Sequence, residues 1–212
     1  HFTDYAACPD PFGMLSYVAA KTSKIELITA AIILPWNNPL RVVEQAIQLD
    51  ILSEGRLILG MGRGAARREF RSFGCELKDS RDMFDQSCAI IMEGVETGIV
   101  EADTEFYKIP RTEIRPRPFK SFKDRMVQVT MSPFSVEVAA RYGLQALRFS
   151  QGDWRHAVPE INHYREKFEE YNGRKAPPFI ISDFVICFED RSKVEQICDK
   201  HFSSMFATVA NH

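Results

Sequence analysis

The sequence has no long apolar run: nothing in it approaches the roughly 20 residues needed to cross a bilayer, so no membrane partner is expected. It also has no excess of charge of one sign. With 27 Lys and Arg against 29 Asp and Glu, the formal net charge is -2, which argues against nucleic acid or an anionic surface as a partner. Its five cysteines, Cys8, Cys75, Cys88, Cys187 and Cys198, are odd in number, widely spread and without a C-x-x-C pair. That spacing disfavours a disulfide framework or a zinc site, and a reducing, cytoplasmic setting is expected. What is present is 212 residues of ordinary globular composition, 45% of them hydrophobic. This is enough for one large core, hence one domain over 1–212. A small-molecule partner suits such a chain best.

Short apolar runs alternate with longer helical periods. Residues 25–34 are almost continuously apolar, as a strand buried on both faces would be. Asn38-Pro39 reads as an N-cap followed by proline at the first helical position. Leu40, Val43, Ile47 and Ile51 then share a helix face up to Gly55. A strand over 57–61 follows, then a loop rich in glycine and arginine. A helix from about Ser80 places Phe84, Ser87, Cys88, Ile91 and Val95 on one face before Gly98. Residues 99–125, with Pro110, Pro116 and Pro118, break the rhythm and read as a surface excursion with room for a hairpin.

The alternation then resumes. The pattern predicts a strand over 126–130, a helix opened by Ser132-Pro133 and stopped at Gly143, and a strand over 145–149. It continues with a helix over about 153–171 closed by Asn172-Gly173, a strand over 179–187, and a last helix capped by Asp190 and reaching at least Phe206. Roughly five βα units imply a parallel sheet with helical crossovers, either doubly wound or closed into a barrel, and periodicity does not choose between them. In both, ligands gather at the carboxyl ends of the strands.

Several segments at those ends stand out: His1-Phe2-Thr3, Thr29-Ala30-Ala31, Gly60-Met61-Gly62-Arg63-Gly64, Thr130-Met131-Ser132-Pro133 and Ser150-Gln151. The glycine-arginine loop suits a phosphate but lacks dinucleotide or Walker spacing. Taken in order with Leu49-Asp50-Ile51-Leu52-Ser53-Glu54-Gly55-Arg56, Phe73-Gly74 and Ser80-Arg81, these segments resemble the bacterial-luciferase-like flavin monooxygenases over nearly the whole chain. The resemblance implies an α/β fold of the (β/α)₈ TIM-type barrel class. His1-Phe2 would be the end of its second strand, and an eighth strand would follow the residues present, so a truncated barrel is expected.

The resemblance also implies a site. Arg63 and Arg81 match positions near the flavin phosphate, Ser132 lies at a helix N-terminus that favours an anion, and Ser135 adds a hydroxyl one turn on. Ala30-Ala31 matches a place where a non-proline cis peptide lies beneath the flavin ring, and Met131 would wall that ring. His1 matches the second histidine of a catalytic pair. Read from the residues alone, the arginines suit a solvated pair or a salt bridge equally well, Ser132 a plain cap, Met131 core filler and His1 an exposed terminus. His156 and His163 read as helix-face residues rather than metal ligands; Glu69 matches an acidic position near the pocket by the resemblance, and from the residues alone reads at least as well as a partner of the arginines around it. Gly62 stands where luciferase has a reactive cysteine and Met131 where it has an acid, so light emission is not expected.

The implied activity is a two-component monooxygenase. It would take reduced FMN from a flavin reductase and act, as a homo-oligomer, on a small apolar aldehyde, ketone or hydrocarbon. Deazaflavin-dependent hydride transfer and a non-catalytic flavin-binding partner subunit are the alternatives.

Overall fold

The computed structural model describes residues 8–150, 154–183 and 185–202; His1, Phe2 and Thr3 therefore lie outside it. The chain opens with helix α1 (Pro11–Lys21). The apolar run expected as one strand is split into β1 (Leu27–Ile28) and β2 (Ile32–Ile33). Helix α2 (Pro39–Leu52) begins as the sequence predicts: Asn38 accepts a hydrogen bond from the Leu40 N–H and Pro39 takes the first turn. Strand β3 (Leu57–Gly62) leads to the short helix α3 (Arg67–Ser72), and α4 (Ser80–Thr97) ends on Gly98 at φ 68°. The surface excursion is indeed a hairpin, with β4 (Ile99–Asp103) antiparallel to β5 (Lys108–Glu113).

Strand β6 (Met126–Val129), helix α5 (Pro133–Arg141), strand β7 (Gln145–Phe149) and helix α6 (Val158–Asn172) continue the alternation. A 3-10 turn over Trp154–Ala157 precedes α6, so its α-helical part starts later than expected. The strand expected over 179–187 contracts to β8 (Ile180–Ser182), because its neighbour β7 stops at Phe149, in register with Ser182. Asp190 caps α7 (Arg191–Ile197) as expected, and one π turn over Cys198–Phe202 follows.

The split in the first strand has a long-range cause. Thr29 Oγ1 accepts the Gly60 N–H at 2.7 Å and donates to the Gly60 carbonyl at 2.9 Å, so a side chain stands in for the strand ladder between β1 and β2. The two short strands still pair parallel with β3, Leu27 opposite Leu57 and Ile32 opposite Met61.

The main sheet is parallel and runs β1-β3-β6-β7-β8, with β2 also on β3. Its spatial order never reverses relative to the chain. A doubly wound sheet has such a reversal at its ligand crevice; a barrel does not. Successive helices pack on one another, α1 on α2, α2 on α4 and α5 on α6, as the outer layer of a barrel requires. The described sheet is thus an arc of a parallel α/β barrel.

At the amino ends of its strands, arginines lock the arc. Arg125 forms a two-pronged ion pair with the fully buried Asp50, at 2.6 and 3.1 Å, and donates to the Leu57 carbonyl at 2.8 Å. Arg56 donates to the carbonyls of Ala19, Thr22, Ile25 and Ser53. No helix among the described residues is long and apolar enough to cross a membrane.

Candidate functional site

At the opposite, carboxyl ends of β2, β3 and β6 lies a cavity of about 240 Å³, where the fold class places ligands. It gathers Ala30, Ala31, Arg63, Arg81, Met131, Ser132 and Ser135, every expected site residue within the described part of the chain. Glu69 lies on α3 and is not part of this wall. His163 sits in α6, away from it, and no His, Cys, Asp and Glu cluster among the described residues has metal-binding geometry.

The floor is made of small residues. Ala30-Ala31 carries a cis peptide bond, as the sequence resemblance implied. Gly62 lies alongside: a Cβ added there would come within 3.2 Å of both the Ala31 methyl and Ile33, so glycine keeps this surface open. Gly64 has φ +79°, the left-handed turn that carries the chain away from the cavity.

Above the floor stand two cations. Arg63 Nη1 donates to Ser80 Oγ at 2.8 Å, and that hydroxyl donates to the Leu77 carbonyl at 2.6 Å, which fixes the guanidinium from behind. Burial, and then the neighbouring charge of Arg81, hold the Arg63 pKa below its ordinary value. The Arg81 guanidinium lies 4.9 Å from the Phe134 ring centre. Among the described residues neither arginine has an acidic partner. Asp85, on the same wall, is bound to Arg141 at 2.9 Å instead. Among the described residues no salt bridge holds Arg63 or Arg81, and the two like charges stand on the cavity wall.

The third part is the N-terminus of α5. Ser132 is its N-cap and forms a capping box with Ser135. Ser135 Oγ accepts the N–H groups of Met131 and Ser132, each at 3.0 Å, and donates to the Ser132 carbonyl at 2.8 Å. The Ser135 hydroxyl therefore spends its proton on the turn, and its part in the site is to shape that turn. Met131 is 46% exposed at the cavity, which corrects the core-filler alternative.

Sequence reasoning missed Phe84, Phe134 and Phe149 on the walls, and above all Gln128. Gln128 is 3% exposed, its Nε2 donates to the Ser135 carbonyl at 3.1 Å, and its Oε1 has no hydrogen-bond partner. The available signal was one amide in an otherwise apolar buried strand, Met-Val-Gln-Val.

Two cations, a helix N-terminus and a small-residue floor together suit a flat ligand bearing an anionic tail. Comparisons with known proteins show the family and the fold. An alkanal monooxygenase alpha chain from Photorhabdus luminescens is 30% identical over 212 residues, 100% of this chain and 59% of that protein. The chain thus spans about three-fifths of the curated relatives it matches. A monooxygenase from Streptomyces bottropensis superposes with a TM-score of 0.83 at 25% identity, covering 96% of this chain and 64% of that one. The oxygenating constituent of 3,6-diketocamphane monooxygenase from Pseudomonas putida, solved in complex with FMN, gives 0.78 at 17% identity, covering 93% and 59%. The model of the luciferase-like monooxygenases matches residues 1–212, and the chain belongs to that family.

Proposed function

We propose that the protein is the oxygenating component of a two-component monooxygenase, binding reduced FMN from a separate flavin reductase and acting on a small apolar aldehyde, ketone or hydrocarbon. The observation that carries this reading is the pair Arg63 and Arg81, without an acidic partner among the described residues, beside the floor of Ala30, Ala31 and Gly62. A dianionic phosphate fits between two guanidinium groups that otherwise repel each other, and a flat ring fits a floor without large side chains. Support comes from the relative named an alkanal monooxygenase and from the structural neighbour in complex with FMN.

When bound, reduced FMN would supply two electrons to dioxygen, one oxygen atom ending in the substrate and the other in water. The chain's own residues have narrower tasks. Arg63, braced by Ser80, and Arg81, braced by Phe134, would hold the phosphate by charge-assisted hydrogen bonds. The α5 N-terminus would contribute backbone N–H groups and its dipole. Ile33, Phe84, Val129 and Phe149 line the cavity and would keep water from the reacting end. Among the described lining residues Asp85 is the one acid, and Arg141 holds it, so proton transfer is not assigned to it. His1 stays a proposal for positioning substrate or flavin, resting on the sequence resemblance alone. Homo-oligomeric assembly and a cytoplasmic setting belong to the same proposal.

The test is oxygen labelling. The intact protein, given FMN, NADH, a flavin reductase and ¹⁸O₂, should place one labelled atom in product from a panel of aldehydes, ketones and hydrocarbons. No incorporation from any of them would overturn the reading. Hydride transfer with a deazaflavin under anaerobic conditions would replace it with the dehydrogenase alternative.

A further inference from the structure

We infer that Arg141 is a positioning residue for ligand binding: by holding Asp85 it keeps that carboxylate from Arg81, and so leaves both cations of the cavity to an anionic ligand. The inference rests on the flavin reading of the cavity and deepens it.

Arg81 and Asp85 are four residues apart on α4 and both line the cavity, so they share one face of the helix. Opposite charges at that spacing are within reach of each other and ordinarily attract. Here they do not pair. Asp85 Oδ2 accepts from Arg141 Nη2 at 2.9 Å, and the Arg81 guanidinium lies over the Phe134 ring. Arg141 is the last residue of α5, eight after Pro133, so about 12 Å of helix rise separates it from the α5 N-terminus, and it is not on the cavity wall. The carboxylate is thus tied to the end of α5 remote from Ser132. A second contact secures the arrangement: the Arg141 guanidinium lies 5.2 Å from the Tyr142 ring centre, and the Tyr142 hydroxyl donates to the Asp85 backbone carbonyl at 3.3 Å. Asp85 is gripped by side chain and backbone from the same turn.

The electrostatic consequence falls on the cavity. Asp85 is the one acid among the described lining residues, beside the two cations Arg63 and Arg81. Without a partner it would pair with Arg81 or repel an incoming phosphate, and either lowers affinity for an anion. Bound to Arg141 it does neither. The pair is partly exposed, so it contributes little to stability, and its larger effect is on the charge that the cavity presents.

The test is a titration of the intact wild-type protein, Arg141→Gln, Asp85→Asn and the double variant with FMN and with riboflavin at low ionic strength. Arg141→Gln should weaken FMN by roughly three- to tenfold, the worth of one partly exposed charge contact, and leave riboflavin unmoved. The double variant should return FMN affinity to within about twofold of wild type, because the carboxylate that needed holding is gone. Unchanged FMN affinity in Arg141→Gln would overturn the inference. Equal weakening of both ligands, or no recovery in the double variant, would overturn it in favour of a plain tie between α4 and α5. If Arg141→Gln does not fold, Asp85→Asn decides: it should bind FMN at least as tightly as wild type, and weaker binding overturns the inference. Equal affinity of the wild type for FMN and riboflavin would overturn the phosphate reading and this inference with it, a failure visible before any variant is made.

Discussion

Arg63 and Arg81 stand together without a counter-charge among the described residues, which makes them poor contributors to stability and, on the proposed reading, good ones to binding. Arg81→Ala removes an exposed cation and one ring contact, so stability should change by no more than about 0.5 kcal/mol. Arg63→Ala also removes the bond to Ser80 and should cost about 1 kcal/mol at most. Each should weaken FMN binding by about tenfold or more, the effect of a charge-assisted contact. Thermal unfolding beside an FMN titration checks both halves, and a large stability loss with unaltered affinity would show that the arginines are structural. Gly60 behaves in the opposite way. A Cβ there would lie 1.7 Å from the Thr29 carbonyl oxygen, a backbone atom that cannot step aside. Gly60→Ala should therefore cost about 3 kcal/mol or more in denaturant unfolding, and wild-type stability would contradict the Thr29 account. The sequence showed Gly60-Met61-Gly62-Arg63-Gly64 as one phosphate-suited loop. The structure divides the labour: Gly60 admits Thr29, Gly62 opens the floor and Gly64 makes the turn. The roles of Gly60 and Gly62 were not legible, because each depends on an atom some 30 residues away.

At the scale of elements, what could be read was what local chemistry decides. Asn38, Ser132 and Asp190 cap helices through side chains within three residues, and Gly98 and Gly173 end helices in the left-handed conformation, as their spacing suggested. What misled was pairing. Residues 25–34 looked like one strand and are two, and residues 179–187 looked like a long strand and hold three paired residues, since neither Thr29-Gly60 nor the end of β7 is visible locally. Asp50 and Arg125 join α2 to the start of β6 in a pair that only the fold brings together. Asp50→Asn would leave Arg125 half-buried against a neutral partner, and a loss of about 3 kcal/mol is expected. Pairing it with Arg125→Met should recover part of that loss. The urea midpoint at constant slope measures both. FMN affinity should not move, because the pair sits at the far end of the strands from the cavity; a drop would contradict that separation.

For the whole molecule, the strands fall in chain order across the sheet, and this decides for a barrel arc, a choice that hydrophobic periodicity left open. The arc has two unlike ends. At the amino ends of the strands Arg56 and Arg125 are saturated with carbonyls and a carboxylate; at the carboxyl ends Arg63 and Arg81 face a cavity. The formal net charge of -2 conceals this local positive field. FMN affinity should therefore fall as salt rises, while riboflavin, the same flavin without the phosphate, should bind with little salt dependence. The central claim is that the cavity reads a flavin by its phosphate, and the most direct measurement is the ratio of riboflavin to FMN dissociation constants in wild type and in the Arg63→Ala, Arg81→Ala double variant. The account predicts a wild-type ratio of about a hundred, from two charge-assisted contacts, collapsing toward one in the variant. Equal affinities in the wild type, or a ratio that survives loss of both arginines, would contradict it.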